Sequence, residues 1–168
     1  QNFTTSTSAY NIGVGFTAGQ SITTGIQNTI IGGLAGDALT DADYNVALGT
    51  SALGADTLGS RNTALGRSAL SSQNFTTATD SYNTAVGFNA GTAVTTGVQN
   101  TLIGGLAGDA LTDADFNVAL GYTALTSDTQ GSKSVAIGGY TLYNQNFTTA
   151  TDSFNTAVGH LAGYQITT

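Results

Sequence analysis

A repeat nested inside a repeat restricts what this chain can fold into more than any other feature. A five-residue core, most often Asn-Thr-Ala-aliphatic-Gly, occurs nine times, starting at Asn11, Asn28, Asn45, Asn62, Asn83, Asn100, Asn117, Ser134 and Asn155. Three short spacings of seventeen and one long spacing of twenty-one separate the first five starts, and the series then begins again. Gln-Asn-Phe-Thr-Thr accordingly returns at Gln1, Gln73 and Gln145, one full superperiod apart each time. Fixed periods of about 20 residues belong to solenoids, in which each unit is one coil stacked on the last. The chain therefore reads as one repeat array: 1–72, 73–144 and a partial third period over 145–168.

Seventeen residues are too few for a strand, a helix and a return. Gly, Thr, Asn and β-branched residues dominate, and no 3.6-residue apolar period appears, so helix is not expected. The expected fold is all-β: a narrow parallel β-solenoid, or β-roll, of nine coils, each with two short strands joined by tight turns. Residues 28–32 alternate as a strand does, and Gly33-Leu34-Ala35-Gly36 is read as the second strand.

Only 8% of residues are charged, against roughly 25% in an average globular domain. The aliphatic residue in every unit nevertheless separates this chain from disordered sequences, which lack the apolar surface to offset ordering entropy. The net charge of −7 comes from ten Asp against Arg61, Arg67 and Lys133. That balance disfavours nucleic acid and anionic lipid as partners. No apolar run reaches transmembrane length, so no membrane insertion is expected of this segment. The absence of cysteine excludes disulfides and thiolate metal sites. With no Met at position 1, the chain reads as a fragment or a processed product.

Within the core, alternate residues face opposite sides. The aliphatic fourth position (Val14, Ile31, Leu48, Leu65, Val86, Ile103, Leu120, Ile137, Val158) is read as coil interior. The small-residue face then allows close approach of a subunit, although alternation alone leaves the reverse assignment open. The leading Asn suggests a stacked, turn-stabilising ladder, since Asn tolerates left-handed angles and bonds its own turn. The closing glycine never varies: Gly15, Gly32, Gly49, Gly66, Gly87, Gly104, Gly121, Gly138 and Gly159. That points to positive φ or to a backbone contact too tight for a Cβ. The residue preceding each core alternates between aromatic and polar: Tyr10, Gln27, Tyr44, Arg61, Tyr82, Gln99, Phe116, Lys133, Phe154. Rings two coils apart have about 9.6 Å between them, enough for one intervening side chain.

Ser134-Val135-Ala136-Ile137-Gly138 resembles the core repeat of YadA-like trimeric autotransporter adhesin heads. The other cores, such as Asn83-Thr84-Ala85-Val86-Gly87 followed by Ala90-Gly91, resemble repeats in phage tail-fibre shafts. The repeat unit here is longer than that of the adhesin head. The resemblance covers essentially the whole chain. It implies a homotrimer of β-rolls, an extracellular location on a bacterial surface or phage virion tail, and attachment to a host glycan, protein or matrix.

Catalysis is not expected. His160, the one histidine, occupies the slot of Phe16 and Phe88 in equivalent coils, and no cysteine nucleophile exists. No cofactor is expected, with calcium the one candidate. Asp37, Asp41 and Asp43 return as Asp109, Asp113 and Asp115. Asp-x-Asp-x-Asn places hard oxygen ligands at a calcium-like spacing but lacks the Gly and distal Glu of an EF-hand. A solvated acidic turn is the preferred reading. Gly-rich stretches such as Gly13-Val14-Gly15-Phe16 lack the Lys and helix of a phosphate loop. Asn2-Phe3-Thr4, Asn74-Phe75-Thr76 and Asn146-Phe147-Thr148 are formal glycosylation sequons within the longer connection, the expected protruding loop. Phe3, Phe75 and Phe147 are expected to pin that loop rather than to contact a glycan.

The expected function is that of a rigid, non-catalytic fibre segment holding a recognition tip at a distance. Uncapped coil ends would pair with more of the same, as in a longer array or an end-to-end filament. A flat-face binder of ice or crystalline polysaccharide ranks lower, because Thr23-Thr24 and Thr95-Thr96 do not recur in every coil. A polysaccharide depolymerase would need carboxylates converging in a cleft.

Overall fold

The structure, a computed structural model, describes residues 6–168. It is a parallel β-solenoid of nine coils with no helix among the described residues. Nine three-residue strands, one per coil, form the large sheet: β1 (Ile12–Val14), β2 (Thr29–Ile31), β3 (Val46–Leu48), β5 (Thr63–Leu65), β7 (Thr84–Val86), β8 (Thr101–Ile103), β9 (Val118–Leu120), β11 (Val135–Ile137) and β13 (Thr156–Val158). Strands of successive coils pair in parallel, with β1 and β13 at the two edges, and equivalent residues stand in register, as in Ile31 with Leu48 and Leu48 with Leu65. The longer coils add two small ladders. There β4 (Gly59–Ser60) pairs with β6 (Thr79–Asp80), and β10 (Gly131–Ser132) with β12 (Thr151–Asp152).

The interior is the opposite of the one expected. The middle residues of the strands point inward: Ile30, Ala47, Ala64, Ala85, Leu102, Ala119 and Ala136 are fully buried. The aliphatic column faces outward, with Val14, Leu48, Leu120 and Val158 exposed and the others half-buried. The reason is bore width. Each coil's return segment already sends large side chains inward, among them Leu39, Leu53, Leu70, Leu111, Leu125 and Leu142. Opposite them a strand has room mostly for alanine, and close packing allows neither a void nor a second bulky column.

Residues 33–36 also differ from expectation, forming a turn rather than a second strand. Left-handed angles at Leu34 (φ 60) and Gly36 (φ 48) break the pleat.

Interior packing also accounts for the four-coil period. Two coils carry Gly with an aliphatic residue three positions on: Gly19 with Ile22, and Gly36 with Leu39. A Cβ on Gly36 would meet Leu39 Cδ1 at 2.8 Å and Ile30 Cδ1 at 3.1 Å, so the aliphatic side chain fills the space that glycine leaves. The next two coils place Leu53 and Leu70 at the glycine position, with Asp56 and Gln73 at the aliphatic one. All four are fully buried. The pattern returns as Gly91/Val94, Gly108/Leu111, Leu125/Asp128 and Leu142/Gln145. Truncation of Leu53 to Ala is expected to cost about 2–5 kcal/mol. The check is urea unfolding followed by circular dichroism.

Candidate functional site

The buried Asn column is the most regular polar feature of the molecule. Each backbone N–H donates to the side-chain oxygen of the Asn one coil back: Asn28 to Asn11 (2.7 Å), Asn45 to Asn28 (2.9 Å), Asn62 to Asn45 (2.9 Å) and Asn83 to Asn62 (3.1 Å). Asn100, Asn117 and Ser134 continue the series at 2.8, 2.9 and 2.8 Å. Most side-chain amides donate in turn to the carbonyl three residues before the Asn of the next coil, such as Asn28 to Ala42 at 2.7 Å and Asn100 to Ala114 at 2.7 Å. The ladder thus ties each coil to the next twice, at the same corner of the solenoid. Asn155 donates to Gln145 Oε1 at 2.8 Å, as Asn83 does to Gln73 Oε1.

The left-handed angle does not belong to these Asn residues. It belongs to the residue before each, from Tyr10 (φ 51) through Arg61 (φ 64) to Phe154 (φ 51). Both reasons offered for the closing glycine hold together. Gly32 has φ 134, and a Cβ there would stand 2.6 Å from the Gly49 carbonyl oxygen.

The outward column preceding the Asn ladder stacks cations on rings. The Arg61 guanidinium lies 4.7 Å from the Tyr44 ring centroid and 5.8 Å from that of Tyr82, while Arg61 Nε pairs with Asp80 at 2.9 Å. Lys133 pairs with Asp152 at 2.6 Å, and its Nζ lies 5.3 Å from the Phe154 centroid. Asp80 and Asp152 lie on β6 and β12, so these pairs fasten the longer connection to the coil below.

The six connection aspartates are spread along the side of the solenoid. Asp41 accepts from the Thr24 hydroxyl, and Asp43 from the Ile26 N–H at 2.8 Å. Their counterparts repeat this, Asp113 accepting from Thr96 at 2.6 Å and Asp115 from the Val98 N–H at 2.7 Å. Asp109 accepts from the Thr126 hydroxyl, and Asp37 is half-buried. Asn45, which would complete a calcium-like set with Asp41 and Asp43, is turned into the ladder. Among the described residues no three acidic or histidine side chains gather where they could hold a metal ion.

Sequence reasoning missed the inward-facing Asp56 and Asp128. Asp56 Oδ1 accepts from the N–H groups of Gly59 and Phe75, both at 3.1 Å, and Oδ2 from the Gln73 amide at 2.6 Å. Gln73 Oε1 then accepts from Asn83 at 2.8 Å, joining this network to the ladder. Asp128 repeats the arrangement with Gly131, Phe147 and Gln145 at 3.0, 2.9 and 2.6 Å. The available signal was the interruption of the Ile22 and Leu39 column by Asp56 and Gln73 in successive coils.

Phe75 is buried and Phe147 half-buried. Each ring occupies the space a Cβ on Gly59 or Gly131 would enter, so both pin the longer connection. Phe3, with the rest of the first sequon, lies outside the described residues. The hydroxyls of Thr23, Thr40, Thr57, Thr95, Thr112 and Thr129 form a column, each donating to a carbonyl of the next coil at 2.7–3.2 Å.

The described residues enclose no pocket, and no helix among them is long and apolar enough to cross a membrane. No protein-family model, curated protein or solved structure matches the chain.

Replacing Asp56 with Ala leaves the buried N–H groups of Gly59 and Phe75 without this acceptor and the Gln73 amide with only its long bond to Ser81, and the expected cost is about 3 kcal/mol or more. Comparing the urea midpoints of Asp56→Ala and wild type tests this. Burial raises the Asp109 carboxyl above its ordinary value, partly opposed by the hydrogen bonds from Thr126 and from its own backbone N–H. A carboxyl raised on folding binds protons more readily in the native state, so its contribution favours the fold at low pH and fades as pH rises through the folded pKa. Asp109→Asn should therefore gain stability relative to wild type as pH rises from the ordinary Asp range to neutrality. Parallel melts of the two proteins across that range check the sign.

Proposed function

We propose that this chain is a structural, non-catalytic segment of an extracellular fibre, a side-by-side homotrimer of β-rolls in a bacterial surface adhesin or phage tail fibre. The observation that carries the reading is the outward face of the large sheet. Its two rows, Ile12/Thr29/Val46/Thr63/Thr84/Thr101/Val118/Val135/Thr156 and the aliphatic column, contain no charged residue. Ile12, Val14, Val46, Leu48, Leu120 and Val158 are exposed on it. Apolar faces of this extent on soluble proteins mark contact surfaces.

A second copy matches such a face rung for rung because its own rungs have the same spacing. Nine coils at about 4.8 Å give a length of roughly 43 Å, and a three-residue strand width of about 10 Å gives on the order of 400 Å². That is about half of the ~800 Å² per partner of stable complexes, so in the proposed trimer the residues flanking the two rows complete the contact. Apart from the inward-facing Asp56 and Asp128, the charged side chains lie in the connections, in the column before the Asn and, at Arg67, just beyond a closing glycine, where they keep an assembled rod hydrated. The trimer, the surface location and the role in attachment rest on the resemblance of the core repeat together with this face.

Light scattering should give a mass of three times 16.8 kDa. Val86→Asp on the outward face should drive the mass towards the monomer while leaving the β-sheet circular-dichroism signal in place. A monodisperse wild-type monomer contradicts the proposal.

A further inference from the structure

The chain contains seven tyrosines. Tyr10, Tyr44 and Tyr82 belong to the column that precedes the Asn ladder. The other four, Tyr122, Tyr140, Tyr143 and Tyr164, converge on one surface patch. Tyr122 meets Tyr140 edge-on at 5.5 Å, Tyr140 lies 5.8 Å from Tyr143, and Tyr143 stacks on Tyr164 at 5.0 Å with 13° between planes. His160 joins edge-on to Tyr140 at 5.9 Å.

The fold does not require these rings. One superperiod earlier the equivalent positions hold Thr50, Ser68, Ser71 and Thr92 on the same backbone. Even the left-handed angle is shared, φ 57 at Ser68 and φ 56 at Tyr140. Among the described residues none of the four hydroxyls is hydrogen-bonded and no Arg or Lys stacks on these rings, although cations cover Tyr44, Tyr82, Phe88 and Phe154. Tyr122 is 53% exposed, and the other three are half-buried.

We propose that Tyr122, Tyr140, Tyr143 and Tyr164, with His160, form a lateral binding site for neutral oligosaccharides built of equatorially substituted pyranose rings. The proposal goes beyond the fibre role and does not depend on the trimer. An aromatic face is electron-rich and attracts the polarised C–H groups on the flat side of such a sugar. The unused phenol hydroxyls supply donors and acceptors at the rim of the same surface. The lack of charge among the contacting side chains disfavours an ionic ligand. The open, unpocketed surface suits a polymer lying across it better than a small molecule needing enclosure.

The probe is cellohexaose, titrated into the whole chain with tyrosine fluorescence as the readout, which the absence of Trp leaves unobscured. Saturable quenching is expected. The double variant Tyr143→Ser and Tyr164→Thr, which installs the first module's residues, should bind about tenfold more weakly with unchanged circular dichroism and mass. Placing tyrosine at Thr50, Ser68, Ser71 and Thr92 together should raise the number of hexasaccharides bound per chain from one to two, read by calorimetry. Absence of saturable quenching by millimolar cellohexaose overturns the proposal. So does equal affinity in the double variant, or a fall in its mass, which would make the patch a subunit contact.

Discussion

The hydrogen bond from each ladder backbone N–H to the Asn side chain one coil back is the contact on which the rest of this structure depends. A backbone rung alone fixes spacing but tolerates slippage, because a sheet of short, similar strands specifies register weakly. The Asn side chain adds a second tie at the start of every strand, and its amide donates to a carbonyl of the next coil such as that of Ala42 or Gly97. Slipping by one residue would place a buried, unpaired amide where Thr or Val now stands, with a desolvation penalty of about 1–3 kcal/mol at every coil. Nine similar coils therefore find one register.

That register makes the strained turns tolerable. Non-glycine residues adopt left-handed angles in every coil, Leu34, Leu53 and Leu70 among them. Each is disfavoured by roughly 1–2 kcal/mol. Two such bends and the closing glycine turn the chain within a few residues, which lets so short a unit complete a circuit. The same tightness leaves a bore so narrow that alanine lines the strand side, and it pushes the larger aliphatic column outward. The exposed apolar face and the thin interior thus have a common origin. In the proposed trimer, burying that face adds the apolar area that a single roll lacks.

Much of this was legible in the sequence. The period, the parallel stacking, the Asn ladder and the constraint on Gly32 and its equivalents follow from recurrence and from the chemistry of Asn and Gly. The side on which Leu48 lies was not legible, because alternation is symmetric until the return segment's contribution is known, and Leu53 and Leu70 sit in stretches that look like turns. The second strand at residues 33–36 failed for the same reason, as left-handed angles at leucine have no compositional signature. Asp56 and Gln73 were hidden by their polarity: a buried carboxyl becomes intelligible only when the Gly59, Phe75 and Gln73 donors are seen around it. The acidic connection reads as a solvated turn, and what the sequence does not show is that Asp41 and Asp43 each accept a hydrogen bond from the preceding coil. The tyrosine patch joins residues as distant in sequence as Tyr122 and Tyr164, and only stacking brings them together.

The central claim is axial, in-register stacking of all nine coils, and the absence of native cysteine allows a direct test. Spin labels on cysteines placed at the exposed Thr23 and Asn146, seven coils apart, report that geometry by double electron–electron resonance in protein diluted with unlabelled chains. Seven rungs at about 4.8 Å predict a single narrow distance of about 34 Å. A broad distribution, or one centred well below that value, would contradict the stacked-coil account.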